Sequence, residues 1–528
     1  MMIVYAGLRS LAMGALLVSL SFGASAAAGS GAGVFGSDYV AQGKCGPFAR
    51  AVVTTPAWAC LGIVAGPDDG LVMPRTVIEV TPGRLLLIDM GGWAKNRGKL
   101  LEIKIGTNGS RIFKTLQSGL DRPHGLVLGP DGNVYVGEAT AIWRFDPKLP
   151  AIKRETVVDG LPGDGRHPLK TFVFDPKGNL VVNFGSPSDR CESNSNKLAS
   201  VQYPCPAIQG DHPEASIYLL EFDKPGGKLK TFKPIARGLR NSMALAVEPT
   251  SGLIVQGENN IDFRPDNSPP EELNVIVPGG NYGWPYCTSE GVVPGYQAFV
   301  KSCAKFIAPA VRMPGHGAPL GMFYYQGAMF PKLAGKLVVS LHGYRDNGHR
   351  IVAYDRAPDG RPIAPPGAQP KFPFVLVDGW AEQPGVRPRG APVNISIGSK
   401  GEIWFPEDKN RTVMVLLSGE ASANAAGTAV TPVAVAPPPA NWPALERRLI
   451  PACGQCHEDF HAGNPLKVWN KLVEHGWVDP ASPAKSKIVL TMRGQPPLKP
   501  MPPPSGIGGL PGGTAALEAF LRGLPPQQ

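Results

Sequence analysis

Short apolar and polar runs alternate along most of the chain, and one unit recurs six times between residues 82 and 407. In each unit a tight turn that ends in glycine precedes a short apolar run, as in RLLLID after Gly83 and NVYVGE after Gly132. Glycine adopts positive φ at little cost, so each turn predicts a hairpin corner between two strands. The corner glycines are Gly83, Gly132, Gly178, Gly252, Gly335 and Gly401.

Successive corner glycines lie 49, 46, 74, 83 and 66 residues apart. The first two spacings suit a propeller blade of four strands, and the longer ones predict insertions. Radial closure hides the sheet edges, so a long β-rich chain can avoid edge-to-edge association. We predict an all-β six-bladed β-propeller over residues 33–418. A sandwich of unrelated hairpins is the alternative.

Composition supports several domains and argues against one class of partner. The chain has 528 residues, including 65 glycines and 57 prolines, and only 18% are charged. This length exceeds that of one ordinary hydrophobic core. The net charge is +10, but no run of lysine and arginine stands out. We therefore expect no nucleic-acid partner.

The N-terminus has the pattern of a secretion signal. Arg9 precedes an apolar run over residues 11–22, and small residues surround Ala24–Ala26. We predict a signal peptide over residues 1–26, with an uncleaved anchor as the alternative. After cleavage, the protein is expected to work in the periplasm without needing a membrane.

The eight cysteines divide into two groups. Cys453 and Cys456 belong to a C-x-x-C-H motif, and the others fall into three local pairs. In an exported chain such pairs predict disulfides that close short loops, and metal ligation is the alternative. The predicted disulfide pairs are Cys45/Cys60, Cys191/Cys205 and Cys287/Cys303.

The C-terminal part predicts a haem domain behind a linker. Residues 419–441 are rich in alanine and proline, as in a linker, and residues 442–528 predict a small all-α domain. The motif Cys453-Gly-Gln-Cys456-His457 is the signature of covalent haem c attachment, with His457 as the proximal iron ligand. This segment resembles class I cytochrome c domains. Met501, among prolines, is the predicted second ligand; the alternatives are Met492, His461 and His475.

Two motifs of the large domain resemble those of a known family. They are Gly238-Leu-Arg240-Asn241 and Gly279-Gly-Asn-Tyr-Gly-Trp-Pro285. Over roughly residues 70–415 the chain resembles the soluble quinoprotein glucose and sorbosone (aldose sugar) dehydrogenases. The resemblance implies a six-bladed propeller that binds pyrroloquinoline quinone (PQQ) with calcium.

The resemblance also implies roles for single residues. Arg240 and Asn241 match a cofactor-contacting pair, and an arginine suits a tricarboxylate quinone. His167 stands where the family has its general base, and a histidine can accept the proton of a substrate hydroxyl. His124 is the second candidate for the base.

Further cofactor and calcium contacts follow from the same resemblance. His342 and Arg345 fall where relatives contact the quinone, and Arg387 and Arg389 match a late arginine pair, of which either can be the contact. The predicted calcium ligands are Gly257, Glu258 and Asn259, with Asp262 nearby, because oxygen ligands on a loop suit Ca²⁺.

The sequence therefore predicts a periplasmic quinohaemoprotein. The propeller would oxidise a sugar, polyol or aldehyde, and the haem would pass electrons singly to a cytochrome or an oxidase. Two other classes stay open: a metal-dependent propeller hydrolase such as a lactonase, and a non-catalytic propeller that carries a cytochrome.

Overall fold

The computed structural model describes the propeller region and parts of the C-terminal segment. The described residues are 34–37, 39, 41–193, 201–262, 268–343, 347–380, 390–419, 442, 465–474, 477–478 and 486. The predicted signal peptide and most of the predicted linker lie outside them. So do Arg345, Arg387 and Arg389, and the predicted haem residues Cys453, Cys456, His457 and Met501.

Nearly all regular structure in this region is β-strand. Short 3₁₀ helices occur at Val34–Gly36, Pro67–Asp69, Pro206–Ile208 and Pro331–Leu333. In chain order the strands are β1 (Ala41–Cys45), β2 (Phe48–Ala51), β3 (Ala59–Ala65), β4 (Pro74–Thr81), β5 (Arg84–Asp89), β6 (Gly98–Ile105), β7 (Arg111–Leu120), β8 (Gly125–Leu128), β9 (Val134–Gly137), β10 (Ile142–Phe145), β11 (Glu155–Val158), β12 (Phe172–Phe174), β13 (Leu180–Phe184), β14 (Ser216–Phe222), β15 (Leu229–Arg237), β16 (Ala244–Val247), β17 (Ile254–Glu258), β18 (Glu271–Val275), β19 (Gly280–Asn281), β20 (Cys287–Thr288), β21 (Gly291–Val292), β22 (Val311–Met313), β23 (Pro319–Tyr324), β24 (Leu337–Leu341), β25 (Arg350–Tyr354), β26 (Phe374–Val377), β27 (Ser396–Ile397), β28 (Ile403–Glu407) and β29 (Thr412–Ser418).

These strands form a six-bladed β-propeller, as predicted. Blades 1 to 5 are the sheets β4–β7, β8–β11, β12–β15, β16–β18 with β22, and β23–β26. Blade 6 combines β27–β29 with β3, β2 and β1. A short strand, β19, extends blade 3, and β20 and β21 form a separate hairpin.

The ring closes inside blade 6, where the two ends of the propeller pair. Strand β29 runs antiparallel to β3, with Val413 opposite Ala65 and Ser418 opposite Ala59. A disulfide between Cys45 and Cys60 ties β1 to β3. Closure therefore gives β3 and β29 a partner on each side and leaves neither as an open edge.

All six corner glycines lie between the first and second strands of a blade and have positive φ. Gly83 has φ 75° in blade 1, and Gly401 has φ 89° in blade 6. A side chain at such a backbone conformation would be strained, which explains glycine there. The turn pattern of the sequence thus located the same corner of every blade.

Two of the three long spacings, those of 74 and 83 residues, contain insertions that carry disulfides. Cys191–Cys205 lies between β13 and β14, and Cys287–Cys303 lies between β18 and β22. The insertions pack together: the Cys205 N–H of the first donates a hydrogen bond to the Tyr286 hydroxyl oxygen of the second at 2.7 Å. All three predicted disulfide pairs are confirmed.

Apolar side chains between neighbouring blades form the core. Phe405 and Leu416 of blade 6, for example, have no exposed surface and pack in one cluster with Val338 and Ile351 of blade 5. Burying a side chain of this size contributes about 1.5–3 kcal/mol. Each blade thus depends on its neighbours for the burial of its faces.

One α-helix, α1 (Pro465–Glu474), is described in the C-terminal segment, within the predicted small all-α domain. Val468, Trp469 and Leu472 are buried, whereas Leu466 is exposed. The Trp469 ring lies edge-on to Trp442, with 5.1 Å between centroids. None of the helices within the described residues has the length and hydropathy of a membrane span.

Candidate active site

One face of the propeller collects the polar residues that the sequence singled out. First and second strands pair antiparallel in every blade, and the corner glycines mark the opposite face. Residues just before a first strand or just after a second strand therefore meet on one face. His124 precedes β8 and Arg240 precedes β16, while His342 follows β24 and Asp408 follows β28.

A buried network on this face joins four blades. The Asp408 carboxylate accepts a hydrogen bond from Arg75 Nη1, and its Oδ1 lies 2.9 Å from His342 Nε2. Arg75 Nε donates to His124 Nδ1 at 3.2 Å. Burial alone would raise the pKa of Asp408, but His342 and Arg75 hold it well below its ordinary value. We call Arg75, His124, His342 and Asp408 the Asp408 cluster.

The contact with Arg75 decides the protonation of His124. Because an arginine Nε can only donate, His124 Nδ1 must accept, and the neutral ring carries its hydrogen on Nε2. That Nε2 is buried and has no partner among the described residues. Burial, followed by the charge of Arg75, lowers the pKa of His124 well below its ordinary value. His124 is therefore a neutral ring that offers a hydrogen-bond donor.

Arg240 organises a second cluster, built from blades 3 and 4. Its Nη1 donates to the Asn259 carbonyl at 2.9 Å, and its Nη2 contacts the Asp189 carboxylate. The Asp262 carboxylate lies 3.8 Å from Nη2. The side chain is buried, and its Nε has no partner among the described residues. We call His167, Ser186, Asp189, Arg240, Asn241, Glu258 and Asn259 the Arg240 cluster.

His167 has the opposite tautomer to His124. Its Nδ1 lies 2.8 Å from the Ser186 carbonyl oxygen and 2.9 Å from the Ser186 hydroxyl. That hydroxyl donates its own hydrogen to the Ser188 carbonyl at 2.6 Å, so towards His167 it can only accept. His167 Nδ1 must carry the hydrogen, and the neutral ring has its lone pair on Nε2.

Burial and the nearby positive charge of Arg240 lower the pKa of His167 well below its ordinary value. The side chain is half-buried, and its Nε2 has no protein partner within the described part of the chain. A neutral imidazole with an open lone pair can accept a proton from a bound hydroxyl group.

The predicted calcium residues surround the backbone of Asn241. The Glu258 carboxylate accepts the Asn241 N–H at 3.0 Å and the Gln256 amide at 2.6 Å. Burial raises the pKa of Glu258 to about 8, although the Asn241 N–H opposes this shift. The side-chain oxygens of Asn241 and Asn259 are buried and have no hydrogen-bond partner in the part of the chain that the structure describes. Gly257 lies inside β17, opposite Ala244 and Leu273.

Apolar side chains from five blades meet near the starts of the first strands. They are buried and belong to one cluster, so they form an apolar layer beside the polar residues. Hydrogen bonds and charges in such surroundings act more strongly than in water. The cluster consists of Met90, Leu169, Met243, Leu320 and Val393.

The structure brings His124 and His342 together in one cluster, and His167, Arg240, Asn241, Glu258 and Asn259 in the other. Sequence reasoning missed several of their partners. Arg75, Ser186, Asp189 and Asp408 each lie at the start of a first strand or beyond the end of a second strand. From the sequence they could have been identified only by collecting, for every predicted blade, the residues at the start of the first strand and just beyond the end of the second. Buried His316, whose Nδ1 lies 3.6 Å from Asp262, was also missed.

Residues 53–419 match the model of the TrAA12-like family. The chain belongs to the TrAA12-like family. The match spans blades 1 to 6 from β3 to β29 and ends before the C-terminal segment, so the TrAA12-like assignment concerns the propeller.

Two curated proteins resemble the TrAA12-like propeller. The pyrroloquinoline quinone-dependent sugar dehydrogenase of Hypocrea jecorina is 22% identical over 417 residues, covering 68% of this chain and 88% of that protein. The aldose sugar dehydrogenase YliI of Escherichia coli is 24% identical over 294 residues, covering 51% of this chain and 74% of that protein.

Solved structures show the same fold. The family AA12 enzyme of Trichoderma reesei has a TM-score of 0.54 at 20% identity, over 70% of this chain and 98% of that chain. The PQQ domain of the pyranose dehydrogenase from Coprinopsis cinerea has a TM-score of 0.53 at 20% identity, over 69% and 97% of the two chains.

Proposed function

We propose that this TrAA12-like propeller is a PQQ-dependent dehydrogenase of a sugar or a related polyol or aldehyde. Its electrons would leave one at a time through a haem c bound at Cys453 and Cys456. The single observation that carries the proposal is the His167 ring, whose tautomer is held by Ser186 and whose Nε2 lone pair stays open.

The role of His167 follows from its surroundings. The ring is neutral at neutral pH, since burial and Arg240 lower its pKa. It can take the proton of a substrate hydroxyl while Ser186 keeps the ring oriented. His124 cannot act in this way, because Arg75 occupies its Nδ1 and its Nε2 carries hydrogen. We therefore assign the general base to His167, with His124 as a donor that orients a bound group.

The cofactor itself supplies the two-electron acceptor, since a bound quinone can take up hydride from a sugar carbon. The described residues fit such a group through buried donors that lack partners. Arg240 Nε and His124 Nε2 are both buried and unpaired among the described residues. Arg240, Asn241 and His342 would hold the quinone, together with Arg345 and one or both of Arg387 and Arg389.

Charge balance supports those further arginines. In and beside the two clusters, Arg75 and Arg240 face Asp189, Asp262 and Asp408. Arg166 beside His167 and Lys409 beside Asp408 add positive charge. A tricarboxylate ligand carries three negative charges, and Arg345, Arg387, Arg389 or a bound metal ion would balance it further.

A calcium ion fits the donors near Asn241 in a restricted way. Hard cations take amide and carboxylate oxygens. The side-chain oxygens of Asn241 and Asn259 are buried, and no described residue contacts them by a hydrogen bond. Both Glu258 oxygens already accept hydrogen bonds. Among the described residues no group of three or more His, Cys, Asp or Glu side chains could hold a metal. Amide and carbonyl oxygens are therefore the donors that we propose for Ca²⁺, with Asn259 as the first.

The C-terminal prediction completes the electron path. His457 and Met501 would bind the haem iron, and the acceptor beyond it would be a cytochrome or an oxidase. The three disulfides suit an oxidising compartment, which supports export to the periplasm by the signal peptide.

Two assays separate the parts of the proposal. The purified full-length chain is loaded with PQQ and Ca²⁺ and given a panel of aldoses and polyols. A dye that accepts electrons from the quinone reports oxidation in the propeller, and the visible haem band reports transfer to the C-terminal segment. The Cys453→Ala/Cys456→Ala variant should lose the haem band and keep dye reduction.

Each assay has one result that would contradict the part of the proposal that it tests. Absence of dye reduction with every substrate, in protein shown to have bound PQQ, would rule out the dehydrogenase. Dye reduction without the band shift that marks reduction of the haem would rule out the haem as the exit. Lactone hydrolysis without any electron acceptor would favour a propeller hydrolase.

A further inference from the structure

A lysine is fully buried between the two chain segments that hold His167. Lys170 precedes β12 and is 1% exposed. Its Nζ donates to the Pro162 carbonyl at 2.6 Å and to the Pro168 carbonyl at 2.7 Å. These two carbonyls flank His167 in the sequence, and Pro168 is its neighbour. Lys170 therefore closes the loop that carries the ring.

Lys170 also contacts the segment that holds the other side of the ring. Its Nζ lies 5.4 Å from the centroid of the Phe184 ring. Phe184 ends β13, and Ser186, the hydrogen-bond partner of His167 Nδ1, follows two residues later. A cation over an aromatic face is attracted to the ring. One side chain thus contacts both the His167 loop and the strand end that carries Ser186.

Burying a lysine is costly unless its donors are used, so a structural reason alone would favour an apolar residue here. Burial lowers the pKa of Lys170 to about 7, with the charge of Glu214 opposing and that of Arg122 adding to the shift. Ammonium and amine can each donate two hydrogen bonds to carbonyls. The two carbonyl contacts are therefore available in both protonation states.

We propose that Lys170 is a positioning residue for His167, which keeps the imidazole in register with Ser186 by bridging the carbonyls of Pro162 and Pro168. The role of His167 as base rests on the proposed function, whereas the positioning of its ring does not. Loss of the bridge would let the 162–168 loop shift, and a shift of about 1 Å at a reacting group can lower a rate about 100-fold.

The test combines one structural and one kinetic measurement on the full-length chain. Nitrogen NMR of histidine-labelled protein reports the tautomer and pKa of the His167 ring, identified by its loss in His167→Gln. Lys170→Met should weaken the fixed Nδ1–H tautomer and shift the pKa of His167, because both the burial of the ring and its contact with Ser186 set that pKa. With PQQ and sugar, kcat should fall at least 10-fold, while the Kd for PQQ stays within about 2-fold.

Two further variants keep the result interpretable. Lys95→Met removes an exposed lysine whose Nζ lies 3.4 Å from Asp164 of the same loop, and should leave the His167 signals and kcat unchanged. Lys170→Gln keeps an amide donor on a side chain one bond shorter, and should fall between wild type and Lys170→Met. If Lys170→Met does not fold, Lys170→Gln decides.

The proposal is overturned if Lys170→Met, or Lys170→Gln in its place, shows wild-type His167 signals and wild-type kcat. A folded Lys170→Met with lower kcat but unchanged His167 tautomer and pKa would also overturn it. If the wild type oxidises no sugar, the proposed function fails, and the NMR result alone still decides the role of Lys170.

Discussion

Two histidines on one face of this propeller have opposite tautomers and therefore opposite hydrogen-bonding roles. His124 meets a donor, Arg75 Nε, at its Nδ1, whereas His167 meets the two acceptor oxygens of Ser186. His124 must therefore present N–H at Nε2, and His167 must present a lone pair there. Burial keeps both rings neutral by lowering their pKa values. Whether the neighbour of Nδ1 donates or accepts a hydrogen bond thus decides whether Nε2 is a donor or a base.

The carboxylates of the two clusters differ in a parallel way. Asp408 lies between Arg75 and His342, which hold its pKa well below the ordinary value in spite of burial. Glu258 forms no ion pair with a described residue, and burial raises its pKa to about 8. The Asp408 cluster therefore holds fixed ionic charges, while the Arg240 cluster includes an acid that stays protonated near neutral pH. An anionic cofactor is less repelled by the protonated acid than by an ionised one.

The largest expected effect distinguishes the two histidines directly. Loss of a general base lowers kcat by about 10²–10⁴-fold, so His167→Gln should fall in that range in the PQQ-dependent dye assay. His124→Gln keeps an N–H donor and should lose clearly less. The two variants should be compared at saturating PQQ, with the Kd for PQQ measured separately. Equal losses of kcat would contradict the assignment of His167 as the base.

The second effect concerns stability and the Asp408 cluster. Removing one partner of a buried ion pair costs about 3–5 kcal/mol, because the remaining charge stays buried. Arg75→Met should therefore lower the free energy of unfolding in urea by roughly this amount. The double variant Arg75→Met/Asp408→Leu removes both charges and should recover part of the loss. If the double variant loses as much free energy of unfolding as the two single variants together, the two charges are not coupled.

The third effect is a pH dependence from Glu258, spread over several pH units. Its folded pKa of about 8 exceeds that of the unfolded chain, so its contribution to stability is complete at low pH and is lost as pH rises to about 8. The measurement is the free energy of unfolding of wild type minus that of Glu258→Gln, both with calcium chelated. This difference should fall between about pH 5 and 8, at no more than about 1.4 kcal/mol per pH unit.

Asp408 provides the matched control for this pH dependence. Its folded pKa is lowered, so its contribution is present at neutral pH and is lost only as the solution becomes strongly acidic. Asp408→Asn should therefore leave the slope between about pH 5 and 8 unchanged. If Glu258→Gln also leaves this slope unchanged, Glu258 is ionised in the folded protein.

Local signals in the sequence were enough for the architecture. A glycine that must adopt positive φ reveals itself without any tertiary context, and six such positions marked one corner in each blade. The disulfide pairs were also local, since each closes a loop of 14 to 16 residues. Arg240, Asn241 and His167 were identified through motifs that resemble a known family, and the Arg240 cluster of the structure contains all three.

The partners that decide the chemistry were not local. Arg75 and Asp408 are 333 positions apart in the chain, and Arg75 and His124 are 49 apart. Nothing in the sequence around Ser186 indicates its role. The fold places the end of β13 beside the start of β12, and this brings Ser186 to His167. Lys170 looked like a lysine before an apolar strand, and its burial between two prolyl carbonyls depends on how that loop folds back.

The sequence by itself therefore determined the number of blades, their corners and the disulfides, because turn conformation and short loops depend on neighbouring residues. The tertiary structure alone decided which histidine carries its proton on which nitrogen and which acid is ionised. Tautomers and pKa values depend on the polarity and charge of atoms within a few ångströms. In a closed ring of blades those atoms come from distant parts of the chain.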